Sequence, residues 1–154
     1  MPDADDEFDC LKLENQICFP LYVCAKEIVR RYTPYLDRLG LTYTQYLVMM
    51  ALWEHGTLSV KGLGSLLFLD SGTLTPLLKK MEEKGFVART RDPSDERTVL
   101  ISLTSGGEDL KKEAKGIPYS VGSCLNVPPG DVEKLYRILW DLLGTFREDE
   151  GKSP

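Results

Sequence analysis

The sequence predicts a mainly α-helical chain with one small β-hairpin, and three observations carry that reading. Apolar residues recur three and four apart over most of the 154 residues. Glycines and residues able to cap a helix punctuate these runs. A single pair of short strand-like segments, 86–91 and 98–103, flanks the turn-forming cluster Asp92-Pro93-Ser94-Asp95-Glu96.

The first helix is read from Leu13, Ile17, Leu21, Cys24, Ile28 and Tyr32, which fall on one apolar face. Pro20 lacks a backbone donor, so the helix is either kinked there or begins there with the proline at its first position. After Gly40, Thr42 and Gln45 have capping-box spacing, and Tyr46, Met49, Met50 and Trp53 form a second apolar face that stops at His55-Gly56. Ser59 caps a short helix carrying Val60, Leu63, Leu66 and Leu67. Gly62 and Gly64 each cost it about 0.5–1 kcal/mol against alanine, so packing must stabilise it. A third helical segment starts between Asp70 and Thr73, runs through Leu74, Leu77, Leu78 and Met81 to Lys84, and stops at Gly85, with Pro76 in its first two turns. Beyond the hairpin, Ser105 and Glu108 have capping-box spacing and open a helix toward Lys115. The Gly-, Pro- and Ser-containing stretch 116–129 reads as bent or mobile. A last helix from about Asp131 sets Leu135, Ile138, Leu139, Leu142, Leu143 and Phe146 on one stripe.

The formal net charge of −5 would disfavour a polyanionic partner, but its distribution does not. Asp3, Asp5, Asp6, Glu7 and Asp9 belong to residues 1–10, read as an acidic disordered tail, and the rest of the chain has as many basic as acidic residues. No stretch approaches the roughly 18 apolar residues of a membrane span, and the N-terminus is acidic where a signal peptide is basic, so a cytoplasmic location is expected. Cys10, Cys18, Cys24 and Cys124 form no CxxC pair and have only His55 beside them, so neither a metal nor another cofactor is expected. In a reducing cytosol such thiols are either buried and inert or redox-active.

Helix, short helix, helix and hairpin, over about 42–103, is the order of a winged helix-turn-helix, whose third element enters the DNA major groove while the hairpin follows the backbone or minor groove. On that third element Ser71, Thr73 and Thr75 can approach base edges or phosphates, and Lys79 and Lys80 can reach phosphates. Simple helix capping explains the three hydroxyl residues equally well. Arg89, Arg91 and Arg97 line the hairpin and suit the negative potential of a narrow minor groove, with Asp95 placed to orient Arg97. The competing reading is a solvated face on which Asp92, Asp95 and Glu96 pair with the arginines.

The run 69–82, Leu69-Asp70-Ser71-Gly72-Thr73-Leu74-Thr75-Pro76-Leu77-Leu78-Lys79-Lys80-Met81-Glu82, followed by Asp95-Glu96-Arg97, resembles the MarR family of regulators. Residues 11–52 resemble its organic hydroperoxide resistance subgroup. The resemblance implies a single domain over 11–154 that forms a homodimer through helices at about 11–38 and 104–148, where the competing reading is an intramolecular helix pair. Two recognition helices roughly 34 Å apart would read a pseudopalindromic operator in double-stranded DNA.

The resemblance also assigns Cys18 as the peroxide-reactive cysteine, Tyr32 and Tyr43 as the tyrosines that hydrogen-bond its thiolate, and Cys124 as a resolving cysteine. Phenol donors stabilise a thiolate that has no cation nearby, and free amides at a helix start would add to this. Against it stand an inert buried thiol for Cys18, core packing for the tyrosines, and a small cellular thiol in place of Cys124. The expected function is a repressor released when an organic hydroperoxide oxidises Cys18. Two alternatives are a repressor released by a small phenolic or other organic ligand and a thiol peroxidase, although no catalytic triad spacing accompanies His55.

Overall fold

The computed structural model describes residues 8–150, with side chains to 147. Residues 1–7, with Asp3, Asp5, Asp6 and Glu7 of the expected tail, therefore lie outside the described residues, as do 151–154. Of the expected tail, Asp9–Leu11 form a 3-10 turn. The chain divides into two compact units, 1–121 and 122–154. Among the described residues no helix is long and apolar enough to cross a membrane.

Helix α1 spans Cys18–Leu39, so it begins five residues later than the apolar spacing from Leu13 predicts. Local polar bonds explain the difference. Asn15 Nδ2 donates to the Asp9 carbonyl (2.9 Å) and carboxylate (2.8 Å), and Lys12 pairs with the same carboxylate. These bonds favour two 3-10 turns, the second at Leu13–Asn15, over α-helix. Pro20 is the third residue of α1 and so neither kinks nor opens it; an amide there has no helical acceptor to lose. Pro34 lies inside α1, a position the periodicity alone did not single out.

Helix α2, Tyr43–His55, has the expected capping box between Thr42 and Gln45. A two-residue strand, β1 (Leu58–Ser59), follows and leads into α3, Val60–Leu67, capped by the Ser59 hydroxyl. Helix α4 is Ser71–Glu83, and strands β2 (Val87–Asp92) and β3 (Asp95–Leu103) form the hairpin. β1 pairs antiparallel with β3, so the sheet has three strands in the order β1-β3-β2 rather than the two expected. A two-residue strand leaves no alternation to read. β3 also begins at Asp95, which shortens the tip to Pro93-Ser94, held by the Asp92 carboxylate accepting from the Ser94 amide and hydroxyl.

Helix α5, Ser105–Ala114, is capped by Thr104, one residue before the expected Ser105, because Thr104 keeps the extended conformation of the strand end and its hydroxyl accepts from the Gly107 amide. The stretch expected to be bent or mobile contains a short helix, α6 (Ile117–Gly122). The last helix, α7, spans Pro129–Glu150.

The core of the first unit gathers Leu36, Met49, Leu52, Leu63, Leu74, Leu78, Met81 and Ile101. Two glycines permit its closest approaches. A Cβ on Gly64 would stand 2.6 Å from the Leu69 carbonyl oxygen, and one on Gly107 2.1 Å from that of Phe86. Gly64→Ala and Gly107→Ala should each destabilise the fold by about 1–3 kcal/mol or more, with Gly107→Ala the worse, as read by chemical denaturation.

Candidate functional site

Helix α4 divides cleanly. Leu74, Leu78 and Met81 are buried, which turns Ser71, Thr73, Thr75, Lys79 and Lys80 to the exposed face. The cap is Asp70, whose carboxylate accepts from the Thr73 amide (2.8 Å) and from the Thr73 hydroxyl (2.9 Å); these bonds hold the Asp70 carboxyl below the ordinary range. The Thr75 hydroxyl donates to the Ser71 carbonyl at 2.8 Å. Capping thus accounts for Asp70 and Thr73, and leaves the oxygens of Thr73 and Thr75 as acceptors toward anything that approaches the helix.

On the hairpin, Arg89 pairs not with the nearby acids of the tip but with Glu82 of α4. Its Nε is 2.8 Å from Oε2, and its backbone amide lies 3.4 Å from Oε1. The Arg89 side chain holds the Glu82 carboxyl below its ordinary range. Glu82 is a positioning residue that sequence reasoning missed: no periodicity links residues seven apart across a helix end and a turn. Arg91 Nη1 donates to the Glu96 carbonyl at 2.9 Å. Asp95 accepts from the Arg97 backbone amide (3.1 Å) and the Thr98 hydroxyl (3.0 Å), so it orders the tip backbone while the Arg97 side chain stays exposed.

Tyr32 of α1 and Tyr43 at the start of α2 pack edge to face, with ring centroids 5.1 Å apart, and Tyr46 joins both. Tyr46 in turn meets Trp53, whose indole N–H donates to the Gly107 carbonyl at 3.0 Å. Burial raises the pKa of Tyr32 and Tyr43 and pushes Tyr46 up to about 12, so all three remain phenols, able to donate, at neutral pH.

Cys18 is the first residue of α1, exposed and not disulfide-bonded. Fourteen residues of helix separate it from Tyr32, roughly 21 Å of rise, far beyond the combined reach of a thiol and a phenol. Within one chain, therefore, the fold brings Tyr32 and Tyr43 together but not Cys18. Cys10, Cys24 and Cys124 are likewise exposed and not disulfide-bonded, so the buried-thiol reading fits none of the four in the single chain. Cys124 follows α6 in the second compact unit. His55, the one histidine, ends α2 beside Glu54.

The family described as transcriptional regulator SarA/Rot matches residues 30–114. The organic hydroperoxide resistance transcriptional regulator of Bacillus subtilis (strain 168) is 47% identical over 144 residues, which cover 94% of this chain and 98% of that protein. Among solved structures, reduced AbfR bound to DNA superposes with a TM-score of 0.72 at 33% identity, covering 88% of this chain and 96% of that one. Overoxidized AbfR bound to DNA gives 0.73 at 34% identity, covering 92% and 99%. AbfR is a protein of Staphylococcus epidermidis.

Two measurements check this geometry. A depressed carboxyl contributes stability above its unfolded pKa and loses it as pH falls through the folded value. The Glu82–Arg89 tie should therefore hold at neutral pH and break only below the ordinary glutamate range. In a carboxyl NMR titration, Arg89→Ala should return Glu82 toward that range; no movement would refute the pairing. In a spectrophotometric titration, three phenols should ionise above the usual tyrosine range, Tyr46 near 12.

Proposed function

The chain belongs to the MarR family of transcriptional regulators, in the group of the organic hydroperoxide resistance regulators, and on that premise we propose that it is a cytoplasmic, homodimeric DNA-binding repressor that senses organic hydroperoxides through Cys18. The observation that carries the DNA-binding half is the pairing of α4's exposed polar face with an arginine-bearing hairpin tied to the same helix by Glu82. Phosphate oxygens only accept hydrogen bonds, so Lys79, Lys80, Arg91 and Arg97, with the exposed Ser71 hydroxyl, supply donors to the backbone. Thr73 and Thr75, whose hydroxyl protons are already used, suit the amino donors of bases in the major groove.

Dimerisation accounts for two features of the single chain. Leu135, Ile138, Leu142 and Phe146 on α7, and Ile17, Phe19 and Leu21 around the start of α1, are large apolar side chains exposed to water. Packing these terminal segments across a two-fold axis covers them, and the domain so formed spans 11–154. It also supplies Cys18 with phenols. Because a chain's own Tyr32 and Tyr43 are out of reach, the donors to its thiolate are the partner subunit's Tyr32 and the partner subunit's Tyr43.

In the reaction, the Cys18 thiolate attacks the terminal oxygen of the hydroperoxide. An S–O bond forms, the O–O bond breaks, and the alkoxide leaves as an alcohol after taking a proton, with the thiol oxidised to a sulfenic acid. A second thiol, the partner subunit's Cys124 or a small cellular thiol, then displaces water to form a disulfide. AbfR is bound to DNA in both reduced and overoxidized forms, so overoxidation does not by itself exclude DNA there. For this chain the disulfide is accordingly the releasing species: it needs the second thiol where the tyrosines stood, and so moves the α1–α2 corner. The reaction is one signalling event per thiol rather than turnover.

Three outcomes are expected. Cys18→Ser should bind DNA yet keep that binding under cumene hydroperoxide; a full response in this variant rules out the thiol sensor. On nonreducing electrophoresis, Cys124→Ser should lose the oxidised dimer band, and a band that survives assigns resolution to a different thiol. Arg97→Ala and Lys80→Ala should each weaken DNA binding about equally across sequences and lower the salt slope by about one.

A further inference from the structure

Lys84 follows the last residue of α4, and its side chain gathers three helix ends. Nζ donates to the carbonyl of Gly40, the residue that terminates α1, at 2.6 Å, and lies 3.4 Å from Oε1 of Gln45 in the first turn of α2. That same Oε1 accepts from the Thr42 amide at 3.1 Å, while the Gln45 amide donates to the Thr42 hydroxyl. Gln45 is 3% exposed, so its amide group is held in place by packing as well as by the capping box. The ammonium also faces the partially negative C-terminal end of α1. Its acceptors are 44 and 39 residues away in sequence.

The corner reached by Lys84 is the one that carries the tyrosines. Tyr43 follows Thr42 directly and is the first residue of α2, and its ring rests on Tyr32. On the other side of Lys84, the Gly85 amide donates to the Glu82 carbonyl (2.9 Å) and the Phe86 amide to that of Met81 (3.0 Å), so the end of α4 is continuous with strand β2. Apolar contacts of Leu74, Leu78 and Met81 hold α4 against the core but are non-directional. The ammonium, with two fixed acceptors, sets a distance.

We propose that Lys84 is the positioning residue that couples the α1–α2 corner to the recognition helix, so that displacement of Tyr32 and Tyr43 reaches α4 through the Gly40 and Gln45 contacts. This deepens the thiol-sensing reading given above and rests on it. Lys84 itself contacts no DNA in this arrangement; it transmits.

The test compares wild type with Lys84→Met, which keeps the alkyl stem and loses the donors, and with Lys84→Arg, which keeps charge and donors. The probe is a duplex selected from random-sequence DNA by the reduced wild-type dimer, and Kd is measured before and after cumene hydroperoxide with excess small thiol. In Lys84→Met the ratio of oxidised to reduced Kd should fall by about fivefold or more, with the reduced Kd and the melting temperature near wild type, and Lys84→Arg should restore the ratio. An unchanged ratio in Lys84→Met overturns the proposal, as does a loss in Lys84→Arg as large as that in Lys84→Met. A wild-type dimer whose Kd ignores oxidation sinks the sensing reading instead. The strut is then decided by amide hydrogen exchange in the DNA-free proteins: faster exchange at Thr42 and Gln45 in Lys84→Met supports it, and equal rates overturn it.

Discussion

The amphipathic division of α4 is the constraint on which the rest of the structure depends. Burying Leu74, Leu78 and Met81 satisfies the core and, by the helical repeat alone, turns Thr73, Thr75, Lys79 and Lys80 outward. The neighbouring elements serve that placement. Gly64 lets the chain pass closely before α4, Asp70 fastens its start, and Glu82 fastens the hairpin to its side. Each tie is small when considered singly, because solvent screens exposed polar contacts. Together they make a surface of fixed shape, which a regularly spaced partner such as duplex DNA requires.

The length of α1 is the second constraint, and it acts in the opposite sense. A 22-residue helix places its first residue, Cys18, beyond reach of the tyrosines near its far end. An exposed thiol at one end, a cluster of high-pKa phenols at the other, and uncovered apolar side chains beside the thiol are awkward for an isolated chain. All three become consistent once two chains associate. On the function proposed above, the thiol would acquire its hydrogen-bond donors only by assembly, which would couple its chemistry to quaternary structure.

Several features were legible from the residues. Thr42 with Gln45 and Ser59 with Gly62 form the local caps their spacing implies, because a cap is decided within four residues. The exposed face of α4 followed from periodicity. The start of α1 did not, because Asn15 and Lys12 spend their polar groups on Asp9, a competition that apolar spacing does not record. Strand β1 escaped notice because two residues carry no pattern, and its pairing with β3 is a contact between positions some forty apart. The pairing of Arg89 was not legible for a related reason: the acids near it in sequence are those of the tip, whereas the turn at Gly85 brings Glu82 alongside.

By itself, then, the sequence determined the order of helices and hairpin, which face of each helix is apolar, and the family, since these depend on side chains within a turn or two of one another and on motifs contiguous in the chain. Only the tertiary structure decided that Tyr32 meets Tyr43 and not Cys18, that Glu82 holds the hairpin, and that Lys84 bridges α4 to the ends of α1 and α2. The physical reason is the same in each case. A distance between residues far apart in the chain is set by helix lengths and by the core that packs them, and no local preference encodes it.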